Sequence, residues 1–136
     1  MAALTADRNT PYRRGDDYVY PVAATTKIYA GSVVMLNAAG DATKGATATG
    51  QIAAGRAEEQ ADNTTGAAGA KTVKVRKGVF RWANSAAADA ITKAEIGDTC
   101  YIVDDQTVAK TDGTATRSAA GKIMDVDASG VWVQIA

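Results

Sequence analysis

The sequence predicts an all-β fold, and three observations support this prediction. Short runs rich in Val, Ile, Thr and Tyr recur along the chain, and these residues suit a pleated, half-buried surface. Thirteen glycines indicate many turns between the runs. Only residues 85–94 have the alanine content of a helix. We therefore expect a single-domain β-sandwich (jelly-roll-like) or a small β-barrel, with an extended N-terminal arm and at most one short helix.

Residues 1–16 are expected to form the extended arm, and residues 17–136 the β domain. The arm shows no apolar periodicity, and Pro11 would interrupt a helix. It lacks the apolar region of a signal peptide and carries several arginines, so we expect a protein that is made in the cytoplasm.

The first half of the β domain should alternate strands and turns. The predicted order is a strand over 17–23, an apolar run over 27–36, a turn over 37–41, a strand over 51–58 and a loop over 60–70. The first strand should end near Pro21 or lie at a sheet edge, because proline has no N–H for a strand ladder. Gly31-Ser32 divides the apolar run. The loop is rich in Gly, Asn and Thr, which predicts an exposed and mobile segment.

The second half begins with the clearest strand signal. The predicted order is a strand over 71–82, a helical turn over 85–94, strands over 99–103 and 107–110, a loop over 111–118 and a hairpin of 122–127 with 131–135. Within 71–82 the apolar residues change from odd to even positions near Gly78, which predicts a bulge or sharp bend there. The sequence shows no internal repeat of fixed period.

The charge balance argues against nucleic acid as a partner, and the short apolar runs argue against a membrane. Lys+Arg and Asp+Glu both number 15, so the formal net charge is zero, whereas nucleic-acid binding needs a cationic surplus or a clear basic stripe. Residues 71–81 hold the densest basic stretch, interpreted as a solvated strand face or as a patch for an acidic partner. No apolar run is long enough to cross a membrane. Zero net charge also favours self-association.

The residue types offer little for catalysis, so we expect a protein that is not an enzyme and has no cofactor. The chain has no histidine, which removes the usual general base and most transition-metal sites. The single cysteine, Cys100, lies in an apolar strand and is interpreted as a small buried residue. Acidic pairs such as Asp104-Asp105 could hold calcium, but solvated turn residues explain them better and we predict no metal site. A scaffold without such a site favours function through surfaces.

Several segments, taken in their order along the chain, resemble a known family. They are residues 4–10, 30–34, 61–63, 75–80, 96–105 and the C-terminal stretch 120–135. This order is similar to that of the capsid decoration (cement) proteins of tailed phages and prophages, and the likeness covers nearly the whole chain.

The resemblance implies a structural virion protein on the capsid exterior. Such a protein would bind the major capsid protein, bridge neighbouring capsomers and form a homodimer or homotrimer. The arm and the loop over 60–70 would then supply the contacts. We predict the contact residues to be Arg8, Tyr12, Arg13, Arg14, Asn63 and Thr64. The arm residues are chosen because Tyr and Arg are enriched at interface hot spots.

Two other functions stay open. One is a different virion component, such as a head fibre, tail or connector protein. The other is a ligand-binding or carbohydrate-binding β-sandwich, which would need exposed aromatic side chains. Trp82 and Trp132 are the candidates for that role, although burial in the core is the simpler interpretation of both.

Overall fold

The computed structural model describes residues 2–136 and confirms the all-β fold class. The strands are β1 (Asp17–Pro21), β2 (Thr26–Ile28), β3 (Val33–Leu36), β4 (Ala42–Lys44), β5 (Ile52–Ala57), β6 (Ala61–Asn63), β7 (Thr72–Arg76), β8 (Gly78–Asn84), β9 (Thr99–Ile102), β10 (Thr107–Ala109), β11 (Ala119–Asp127) and β12 (Gly130–Ile135). The helical turn predicted over 85–94 is two short 3₁₀ turns, Ala87–Asp89 and Lys93–Glu95. Residues 2–16 contribute no strand, as predicted for the arm, and Met1 lies outside the described residues.

The strands after the arm form two barrels that follow each other along the chain. The first barrel has the order β1-β7-β5-β3-β4, and a single parallel bridge from Val22 to Ala42 joins its two outer strands. The second is a closed barrel of order β10-β8-β12-β11-β9. The β domain predicted for residues 17–136 therefore consists of two small barrels rather than a sandwich.

The two barrels have the same topology. In each, the first strand is antiparallel to the last and parallel to the third, and the fourth lies between the last and the second. Individual backbone hydrogen bonds also correspond. Gly31 N donates to Ala57 O at 2.8 Å, and in the second barrel Gly97 N donates to Ile123 O at 2.8 Å. The chain therefore contains a structural repeat.

The repeat is not visible in the sequence, because the equivalent residues differ in type and in spacing. Tyr18 and Tyr20 of β1 occupy the places that Phe80 and Trp82 occupy in β8, since both pairs lie opposite valines of the last strand. The ribbon of β2 and β6 is present in the first barrel alone, so the distance between equivalent residues varies along the chain.

The two barrels close differently because Pro21 has no backbone N–H to donate at the closure of the first barrel. Ala83 N donates to Gln106 O at 2.8 Å and helps to join β8 to β10. Pro21 occupies the equivalent place in the first barrel and has no N–H to donate. The first barrel is thus closed by the bridge between Val22 and Ala42, where Ala23 N donates to Ala42 O at 2.9 Å, and β1 ends at Pro21 as predicted.

The change of apolar parity near Gly78 is confirmed, and it coincides with the break between β7 and β8. Val73 and Val75 on β7 belong to the core of the first barrel, whereas Phe80 and Trp82 on β8 belong to that of the second. The chain passes from one barrel to the other between Arg76 and Gly78, so the change marks a crossing and not a bulge within one strand.

The barrels pack against each other through β3. Val34 and Leu36 face the first core, while Val33 and Met35 join the cluster of the second barrel. Val33 N also donates to Asp105 O at 2.8 Å. Because β3 is buried on both faces, it is shared by the two cores.

Candidate functional site

The N-terminal arm is the most exposed part of the described chain. Every residue from 2 to 15 is exposed, and the Tyr12 side chain is 96% accessible. Arg8 makes a local turn in which its carbonyl oxygen accepts a hydrogen bond from Thr10 N at 3.0 Å. The arm holds three arginines against Asp7 and Asp16, so it carries a net positive charge. A segment of this kind buries almost nothing within its own chain.

The root of the arm is attached to the first barrel. The guanidinium carbon of Arg13 lies 4.7 Å from the centre of the Tyr18 ring, and Lys77 Nζ lies 5.4 Å from it. Lys77 N donates to Asp16 O at 2.7 Å, and Arg14 pairs with Asp16 at 3.5 Å. Of the predicted contact residues, Arg13 thus positions the arm, while Arg8 and Tyr12 extend beyond this attachment.

Lys77 and Tyr20 sit partly buried beneath this root. Burial lowers the pKa of the Lys77 ammonium, whose Nζ also donates to Ala54 O at 3.1 Å. Burial raises the pKa of Tyr20, and the neighbouring Tyr18 adds to the effect. Both shifts favour the neutral form of the group, because burial penalises its charged form.

A groove of about 540 Å³ lies beside the root of the arm, on β1 and β7. Arg76 crosses it and pairs with Asp17 at 3.0 Å and with Glu58 at 3.5 Å. Glu58 also pairs with Arg56 at 2.8 Å, which offsets the repulsion between Arg56 and Arg76, directly opposed on β5 and β7. The hydrogen bond to Asp17 is the main cause of the raised pKa of Arg76. The groove is therefore a mixed-charge surface, lined by the cations Arg13, Lys74 and Arg76 and by the carboxylates Asp17 and Glu58.

The loop predicted over 60–70 is mostly exposed, but Ala61 and Asn63 are buried. It contains strand β6, and the Asn63 side chain is only 2% accessible. Asn63 Nδ2 lies 3.0 Å from Ala23 O, 2.9 Å from Ala67 O and 3.3 Å from Val22 O. Asn63 is therefore buried where an exposed partner contact was predicted, and its amide ties the loop to the segment that follows β1. Thr64 is exposed, with its hydroxyl donating to Asp62 Oδ1 at 2.7 Å.

Replacing Asn63 by aspartate should lower the free energy of unfolding by about 3 kcal/mol, because a buried carboxylate would face the same carbonyl oxygens with no N–H to donate. Urea denaturation measures the change. Thr64→Ala is the matched control and should stay within about 0.5 kcal/mol of wild type. Equal losses for the two variants would show that Asn63 does not anchor the loop.

Cys100 has a buried side chain, as predicted. Its Sγ donates to Gly121 O at 3.6 Å, and burial raises the pKa of the thiol to about 12. A thiol with such a pKa is almost wholly protonated at neutral pH, and only the thiolate is a nucleophile. The position gives no reactive centre.

We expect Cys100 in the folded protein to react with Ellman's reagent at pH 8 at least about a hundredfold more slowly than in the protein unfolded by guanidinium. The measurement is the rate of thionitrobenzoate release. Equal rates in the two states would contradict the burial of this thiol.

The acidic pairs noted in the sequence serve turns and ion pairs. Asp104 Oδ1 accepts a hydrogen bond from Gln106 N at 2.9 Å, and Asp127 Oδ2 accepts one from Trp132 Nε1 at 2.9 Å. The Trp132 bond is the first cause of the lowered pKa of Asp127. Within residues 2–136 no three His, Cys, Asp or Glu residues come together as a metal-binding group, and no helix there could span a membrane.

Sequence analysis missed a cleft of about 340 Å³ between the two barrels. Its lining residues are Gly31, Arg56, Val79, Phe80, Arg81, Trp82 and Trp132, and we call it the inter-barrel cleft. Both tryptophans singled out in the sequence meet here: Trp82 is buried and Trp132 is half-buried. The alternation of apolar and polar residues along β8 and β12 could have indicated that these two strands pair. It could not have indicated that Arg56 approaches from the other barrel.

Comparisons with protein-family models, curated proteins and solved structures found no match for this chain.

Proposed function

We propose that this protein is a structural virion protein that binds the outer surface of a tailed-phage capsid and bridges neighbouring major capsid proteins. The observation that carries the proposal is the arm: a basic, extended segment that is fully exposed up to Gly15 and attached to a rigid barrel only at its root. The sequence resemblance to decoration proteins supplies the identity of the partner. A chain of zero formal net charge suits the outside of a shell, where DNA is not the ligand.

The mechanism is the addition of interface area across a seam between capsomers. An exposed segment can order itself against a partner surface and gain contacts there that it lacks in the free protein. Tyr12 would insert as an aromatic anchor, and Arg8 would pair with carboxylates of the capsid. Each copy needs to contribute only a few kcal/mol, because many copies act together on one shell. Self-association as a dimer or trimer would link several arms.

The test is co-sedimentation of the purified protein with undecorated expanded capsids, followed by light scattering of the free protein. We expect saturable binding at a fixed ratio to capsid subunits, and a dimer or trimer in solution. Deleting residues 2–12 should abolish binding while leaving the thermal unfolding midpoint unchanged, because the deleted residues lie outside both barrels.

Point variants refine this test. Tyr12→Ala should weaken capsid binding by at least about tenfold, as expected for an aromatic hot spot. Ile96→Ala is the matched control, since it removes an exposed apolar side chain from the second barrel and should leave binding unchanged. Failure of the intact protein to bind capsids, or full binding by the arm deletion, would overturn the proposal.

A further inference from the structure

The inter-barrel cleft has the geometry of a ligand site. The first barrel contributes Gly31 and Arg56, and the second contributes the other lining residues. A second groove of about 360 Å³ continues from Gly31 past Tyr29 to Asp105 and Gln106. Ligand sites occur preferentially where two structural units meet, and volumes of about 300–1,000 Å³ are usual for them. The two grooves have Gly31 in common.

Aromatic side chains form much of the cleft. The Phe80 and Trp82 rings belong to the core of the second barrel and lie 6.0 Å apart between centres, and the half-buried Trp132 also lines the cleft. Asp127 accepts the indole N–H of Trp132 and so holds the ring in one orientation. The indole N–H of Trp82 is buried and has no acceptor within residues 2–136. An oriented aromatic surface beside a few polar groups favours a ligand with one apolar face and several hydroxyls.

The two arginines of the cleft differ in whether a carboxylate pairs with them. Arg56 stacks on Phe80 at 4.6 Å and is neutralised by Glu58, with distances of 2.8 and 3.1 Å to the two carboxylate oxygens. Arg81 is exposed, lies 5.7 Å from the centre of the Trp132 ring and forms no ion pair within 4.0 Å among the described residues. A guanidinium in this state can take a carboxylate through two parallel hydrogen bonds.

We infer that the inter-barrel cleft binds a saccharide that carries a carboxylate, with a sugar ring against Trp132 and the acid group on Arg81. Asp127 is close enough for the charge of Arg81 to lower its pKa, but it leaves the guanidinium without an ion pair within 4.0 Å. Such a guanidinium beside an oriented indole fits one acid group on a flat ring. An acidic peptide or a polyphosphate would call for several free cations, which this cleft does not offer. The inference concerns the barrels and not the arm, so it goes beyond the proposed capsid binding.

The experiment is a titration of the full-length protein, without capsids, followed by tryptophan fluorescence and calorimetry. The acidic probes are tetragalacturonate and 3′-sialyllactose, and the neutral probes are maltotetraose and lactose. We expect saturable binding of at least one acidic probe, and at least tenfold weaker binding of its neutral counterpart. Arg81→Gln should weaken binding at least tenfold, and Trp132→Leu should abolish it.

Lys74→Gln is the matched control, because it removes an exposed cation from the strand of the first barrel that corresponds to β12. It should leave the affinity unchanged, and circular dichroism should show all three variants folded. The absence of saturable binding by both acidic probes would overturn the inference. Equal binding of tetraglutamate, unaffected by Trp132→Leu, would also overturn it by showing a general anion site.

Discussion

Replacing Gly121 by alanine is expected to lower the free energy of unfolding by about 3 kcal/mol, and replacing Gly55 by more. A Cβ atom at Gly121 would overlap the backbone carbonyl oxygen of Gln134 on the adjacent strand, and one at Gly55 would overlap that of Arg76. Gly55 also has a φ of 140°, a conformation that side chains other than glycine rarely adopt. The overlap can be relieved only if the two adjacent strands separate, and this separation breaks hydrogen bonds between them.

Gly50→Ala provides the control for this pair. Gly50 has a φ of 72° and open space around it, so alanine there should cost only the strain of a left-handed residue, about 1–2 kcal/mol. Urea denaturation of the three variants should therefore rank Gly50, Gly121 and Gly55 in increasing order of loss. A Gly121→Ala protein as stable as wild type would show that β11 and β12 do not approach as closely as described.

Ile123→Ala should cost about 3 kcal/mol, whereas Met124→Ala should cost less than about 0.5 kcal/mol. The two apolar residues are neighbours on β11, but Ile123 is 1% accessible inside the second barrel and Met124 is 42% accessible outside it. Removing a buried isoleucine loses transfer free energy and leaves a cavity that the surrounding strands fill only in part. Truncating an exposed methionine loses little transfer free energy and leaves no buried cavity.

Thermal and urea unfolding of both variants measure the difference. Val33 and Met35 of the first barrel belong to the core cluster of the second, so we expect the barrels to unfold together in one transition. Equal losses for Ile123→Ala and Met124→Ala would contradict the inward face assigned to β11.

The structural repeat explains why both glycine substitutions should destabilise the protein. Gly55 and Gly121 occupy equivalent places in the two barrels, each against a carbonyl oxygen of the last strand. A close approach at this point is therefore a property of the barrel topology and not of one local sequence. Glycine is required there twice because any side chain would push the fourth and fifth strands apart.

Local features of the fold could be predicted from the sequence. The runs of Val, Ile and Thr located most strands, and the turn over 37–41 and the C-terminal hairpin followed from residues close together in the chain. The arm was recognisable because it has no apolar side chains in a regular spacing. Pro21 ended β1 as predicted, since the missing N–H acts wherever the strand is placed. These features depend on backbone preference and short-range hydrogen bonding, which neighbouring residues decide.

Only the tertiary structure decided how the strands pair and which side chains face a partner. Twelve short strands of similar composition allow many pairings, so neither the two barrels nor their repeat could be inferred from composition. Asn63 was predicted to be an exposed contact and is buried, because the carbonyl groups that it binds come from the segment after β1 and from its own loop. Arg56 and Arg81 reach the inter-barrel cleft from strands far apart in the sequence. A site built by such long-range contacts has no local sequence signal, since its residues meet only after both barrels have closed.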